Sequence, residues 1–305
     1  TGGDALDVDE EGLGGGMFIE FSNPTLTHVT IAENIAKYGG GMTLYTSNPT
    51  LTHVTINVNT ANRSGGGMQL EYSDPTLTHV TITDNTTAVG DGAGMRLKYS
   101  DPILDNVTIS GNTANTNGGG MDVEDSNPTL TYVNISGNTA RNGNGGGMNV
   151  NDSNPTLTHV TINGNTSEDE GGGIYLEGGE PILTHMTMAN NTAQSGGGMY
   201  LTNSDPIFTH VTIAYNTAYY GGGMVSSDVL STFTHVTIWG NMANYGGGMF
   251  IHHSNPTLIH MTIANNMATS NGGGIILDIV EFESSPTITN SIIWGNTTEI
   301  WGNNS

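Results

Sequence analysis

The chain of 305 residues carries 45 glycines, no cysteine, and only 5 Lys+Arg against 28 Asp+Glu, a formal net charge of −23. So few cations exclude the phosphate neutralisation that nucleic-acid binding requires, and they argue equally against anionic membrane surfaces. Disulfide and thiol chemistry are excluded as well, and no apolar run approaches the roughly 18 residues of a membrane-inserting helix.

In chain order, residues 1–13 form an acidic head (Asp4, Asp7, Asp9, Glu10, Glu11), expected to act as a cap or linker. No cofactor is expected, and calcium at this head is the one ion worth testing. From residue 14 to residue 296 a single pattern recurs, Gly-Gly-Gly-Met-x-Leu-x-x-Ser-Asn-Pro-Thr-Leu-Thr-His-Val-Thr-Ile-x-x-Asn-Thr-Ala. Its proline slot falls at Pro24, Pro49, Pro75, Pro102, Pro128, Pro155, Pro181, Pro206, Ser231, Pro256 and Pro286, in steps of 25 to 30 residues. Residues 297–305 read as a tail or the start of a further coil. Self-similarity at such a period means a solenoid, a propeller or an array. Propeller blades need about 40–50 residues each, which leaves the solenoid.

The second repeat shows the local logic. Gly39, Gly40 and Gly41 make a corner where backbones approach closely. Met42 and Leu44 alternate with Thr43 and Tyr45, the period-2 signature of a half-buried strand. Ser47, Asn48 and Pro49 carry turn chemistry, Thr52 and His53 round a second corner, and Val54-Thr55-Ile56 is another in-out-in strand. Asn59 turns the chain into a third side. Three short strands and three corners make one coil of a parallel β-helix, right-handed because parallel crossovers are. The fold class is therefore all-β: a right-handed parallel β-helix of about eleven coils of about 26 residues, roughly 50 Å long.

Stacking turns each repeat position into a column. Asn34, Asn59, Asn85, Asn112 and Asn138 begin an unbroken asparagine column, expected to bond amide to amide between coils. His28, His53, His79, His159 and His185 belong to a histidine column, interrupted by Asn106 and Tyr132. Stacked imidazoles point alongside one another rather than at one centre, so the column defines no metal site and reads as turn and stack. Thr25 with Thr27, Thr50 with Thr52 and Thr76 with Thr78 form paired rows of the kind that bind ice in some β-solenoids. Ile103, Ile182 and Ile207 interrupt those rows, and threonine also suits strands.

Residues one and three after the methionine are expected to point outward. Glu71, Arg96, Lys98, Asp122 and Glu124 gather there on three neighbouring coils. Such a face is a candidate carbohydrate site, where paired carboxylates work on glycosidic bonds. Alternation of sign between adjacent strands is the simpler account. No nucleophile elbow or phosphate loop is present, so no catalytic residue is assigned.

The alternation of Gly-Gly-Gly-Met/Ile with Ile-x-x-Asn resembles the polymorphic outer-membrane protein repeats, and more broadly the right-handed β-helix surface proteins of bacteria. Ile or Met stands where that family has Phe, and His where many relatives have Asn. The resemblance covers about residues 14–296 and carries over no catalytic residue. It implies a secreted or surface-displayed structural or adhesive protein without enzymatic activity. The apolar tail (Ile293, Trp294, Trp301) adds the expectation that copies join head to tail into a fibre, the chain itself being the main partner.

Overall fold

The computed structural model describes residues 3–5, 12–278, 284–297 and 300–302. They form a parallel β-solenoid, and no helix occurs among them. Most coils have four short strands, not the three expected. In the second coil these are Met42–Tyr45, Thr50–Thr52, Thr55–Asn57 and Thr60–Ala61. A left-handed residue turns each corner between them: Gly39 (φ 58°), Thr46 (49°), His53 (53°) and Val58 (56°). Only glycine adopts this conformation freely, so the remaining corners draw mostly on Asn, Asp, His and aromatics.

Successive coils pair in strict register. Met42 sits beside Met68, Met68 beside Met95 and Met95 beside Met121, and the other positions follow. The methionine strands stack into one sheet of 12 and the two middle strands together into one of 20. The short Thr-Ala strands stack separately, in sheets of 7 and 3. At residues 207–214 and 232–239 the two middle strands merge into one continuous strand.

The core is a column filled from every side. Met42, Leu44, Leu51, Val54, Ile56 and Ala61 are all at most 1% exposed, and the following coils repeat the set. Burying each large member contributes about 1.5–3 kcal/mol. The glycine triplet is required by this closeness: a Cβ on Gly40 would lie 2.5 Å from the Gly66 carbonyl oxygen, and one on Gly41 2.6 Å from that of Gly67.

The helix begins earlier than residue 14. Asp4 and Ala5 pair with Ile35 and Ala36, and Leu13 bridges Tyr38. Asp7, Asp9, Glu10 and Glu11 of the expected acidic cap lie outside the described residues. At the other end Ile300 and Trp301 pair with Ile275 and Ile276, opening a further coil.

Candidate functional site

The asparagine column forms a continuous amide ladder. Asn59 donates one Nδ2 proton to Asn85 Oδ1 at 2.9 Å and the other to the Ile31 carbonyl at 3.0 Å. Asn85, Asn112 and Asn138 repeat both bonds. Each Oδ1 also accepts the backbone N–H of the preceding Asn, as Asn59 does from Asn34 at 3.0 Å. Buried polar groups are thus all paired on this column, as a low-dielectric interior demands.

A second ladder escaped the sequence reading. The Ser47 N–H donates to Ser73 Oγ, Ser73 to Ser100, Ser100 to Ser126 and Ser126 to Ser153, at 2.9–3.0 Å. Its signal was the serine preceding each Asn/Asp-Pro, read only as turn chemistry. The histidines do stack: from His28 to His79 and from Tyr132 to His260, neighbouring ring centroids lie 4.8–5.3 Å apart with planes within 25°. Every column member is left-handed, including Asn106, Tyr132 and Asn290, which explains what the substitutes share. No group of three or more metal-ligating side chains converges among the described residues. The threonine rows stay in register, but Ile103 and Ile207 stand half-exposed within them.

The charged residues of the methionine face divide into two groups. Arg96 pairs with Asp122 at 2.7 Å and with Glu124, and Lys98 reaches Glu124 at 3.3 Å. Although its position is outward on the strand, Asp122 is only 3% exposed. The corner glycines Gly39 and Gly118 lie close against Thr43 and Asp122, and Thr43, Asp122 and Asn149 are all buried. Burial pushes the Asp122 carboxyl up to about 6, against the attraction of Arg96. Burial also opposes charge on Arg96, yet Asp122 and Glu124 more than offset it and raise its pKa. For Glu124, burial raises the pKa while Arg96 and Lys98 outweigh it, and the carboxyl is held below its usual range.

Glu71 stands in register with Lys98 but takes no part in these ion pairs. It lines a groove of about 620 Å³ across the first four methionine strands, together with Arg96 and Lys98. Phe18, Thr43 and Gln69 supply the floor beside Arg96, and Glu20 and Tyr45 the rim in line with Glu71. Lys37, Tyr38 and Ser64 close it from the corners. Gln69 Oε1 is buried and accepts no hydrogen bond. Beside the groove an aromatic line runs along the axis. Phe21 and Tyr72 meet Tyr45 edge-on at 6.2 and 6.1 Å, and Tyr72 stacks on Tyr99 at 5.1 Å. Asp122 and Glu124 are not among the groove's walls. The sequence revealed the charges but not the groove, because corner conformations are not legible in a repeat pattern.

In the last described coil Ile293 is partly buried against the core, while Trp294 is 67% exposed. Trp301 is described in its backbone alone.

The right-handed β-helix region family matches residues 10–134, 56–193 and 151–305, and the chain belongs to that family. Among solved structures it is similar to HetL, a pentapeptide repeat protein involved in heterocyst differentiation regulation from the cyanobacterium Nostoc sp. strain PCC 7120. The identity is 10%, over 91% of this chain and 88% of that one, with a TM-score of 0.21, which carries no argument about this chain. No curated protein matches it.

Proposed function

We propose that this β-helix is a non-enzymatic structural or adhesive rod displayed outside the cell, as in the bacterial surface proteins whose polymorphic outer-membrane repeats it resembles. The supporting observation is that its recurrent polar groups bond coil to coil. Asparagine and serine columns run through buried positions, leaving a rod stiffened along its length. Head-to-tail association of copies belongs to the same proposal, with exposed Trp294 as the contact. Cell fractionation and negative-stain electron microscopy test it. Surface-associated material that forms rods or fibres is expected. Retention in the cytoplasm, or cleavage of a polysaccharide by the purified chain, would sink it.

A second reading is favoured by the groove: it binds a polysaccharide without cleaving it. Charged side chains of both signs, an unsatisfied amide and an adjoining aromatic line suit a ligand with hydroxyls on its rim and C–H groups on its faces. Uronic-acid polymers screened by affinity electrophoresis, with Lys98→Ala as control, test this reading. Retardation that the variant abolishes supports it, and mobility unchanged by every polymer refutes it.

A further inference from the structure

A second hollow on the methionine face, four coils beyond the groove, has a different chemistry. Tyr200, Val225 and Phe250 follow Met199, Met224 and Met249 and lie side by side in register. The small Val225 between two rings leaves a slot of about 270 Å³, closed from the corner by Tyr220. Tyr175 stacks on Tyr200 at 5.6 Å with planes 20° apart, so the opposite face of Tyr200 turns along the axis toward Val225. Tyr220 meets Phe250 edge-to-face at 5.4 Å and 71°, and is itself backed by Tyr245 at 5.5 Å.

The slot's dimensions follow from the coil spacing. Rings two coils apart are separated by about 9.6 Å, so a group midway lies about 4.8 Å from each. A cation is attracted to an aromatic face within about 6 Å. Charge agrees with this geometry. No Lys or Arg follows Arg141, whereas Glu170, Glu177 and Asp228 stand in the surrounding coils. Burial, with Glu170 nearby, pushes the Tyr200 hydroxyl up to about 12, so it stays protonated and neutral at the slot. No lysine or arginine lines the slot, whose walls also include Ser195 and His252, and among the described residues no group of three or more metal-ligating side chains converges on an inorganic cation.

We propose that this slot binds a trimethylammonium group, as carried by choline compounds and by trimethylated lysine. The bulky, weakly hydrated cation fills the space above Val225 and places its methyl groups against Tyr200, Tyr220 and Phe250. This inference is independent of the polysaccharide groove.

Titration of the intact chain with tetramethylammonium chloride and with choline, followed by NMR, tests it directly. Both are expected to bind saturably, and the neutral tert-butyl isostere of choline at least about tenfold more weakly. Phe250→Ala is expected to weaken choline about tenfold, and Val225→Phe, which fills the slot, to abolish binding while melting shows the rod intact. Tyr200→Phe, which keeps the ring, retains binding. Phosphatidylcholine vesicles compared with phosphatidylglycerol vesicles, and a trimethyl-lysine peptide compared with its unmodified form, identify the source; preference for either supports the assignment. Equal affinity for the neutral isostere, unchanged binding in Val225→Phe, or no response to tetramethylammonium overturns it.

Discussion

Substituting Asn112 by Ala interrupts the amide ladder near the middle of the rod. Its side chain donates to Asn138 Oδ1 at 3.0 Å and to the Ile82 carbonyl at 3.1 Å, and accepts from Asn85 N–H at 2.9 Å and Asn85 Nδ2 at 3.0 Å. The substitution leaves the Ile82 carbonyl, the Asn85 N–H and one Asn85 Nδ2 proton without partners, in a place no water reaches. Each orphaned group costs about 1–3 kcal/mol, so a loss on the order of 4 kcal/mol is expected. Location matters as much as size. Stability in a solenoid is approximately a sum of coil and interface terms, so a weak interface in mid-rod uncouples its two sides. Urea unfolding followed by circular dichroism should therefore show a second, earlier transition in Asn112→Ala. The Thr108→Ala control, on the outer surface of the same coil, should shift the curve by no more than about 0.5 kcal/mol. A single transition displaced by less than about 1 kcal/mol would refute the ladder's energetic role.

Other outcomes follow from particular side chains. Asp122 has its folded pKa raised to about 6, above an unfolded value of about 3.9. Its contribution is therefore present below the unfolded value and lost as pH rises through 6, so wild type should lose about 3 kcal/mol relative to Asp122→Asn between pH 4 and pH 8. Parallel stability curves for the two proteins across that window would contradict the buried-carboxyl assignment. Val58 is a β-branched residue held at φ 56°, so Val58→Asn should raise stability by about 1 kcal/mol, read as a higher melting temperature. Asn already occupies the same slot at Asn190 and Asn265. Lys98→Ala should cost no more than about 1 kcal/mol, since its ammonium is partly exposed and its partner Glu124 keeps Arg96; a larger loss in chemical denaturation would show the pair to be structural.

What the sequence made legible is what repeats. Met42, Leu51 and Asn59 could be placed because each has counterparts at the same phase in the other coils, and stacking allows a column only one direction. The fourth strand was missed because Thr60–Ala61 spans two residues, too short for an alternation to show. Asp122 was misplaced because outward on a strand was equated with exposed, and the covering corner varies in length and sequence from coil to coil. The groove and the aromatic slot depend on that same corner. Val225 in particular carries no motif: it matters only because Tyr200 and Phe250 flank it across distances of 25 residues.

The in-register columns also make coils interchangeable. Remove residues 112–137 and the ladder still closes, because Asn85 then meets Asn138 with the same atoms it offered to Asn112. The methionine, leucine and serine neighbours are exchanged like for like in the same operation. Length in this molecule is thus a quantity that recombination between near-identical stretches of gene can count up or down one rung at a time. Each step changes reach by about 4.8 Å and leaves the inward columns matched like for like. Populations of such rods are expected to differ in whole coils, and seldom in fractions of one.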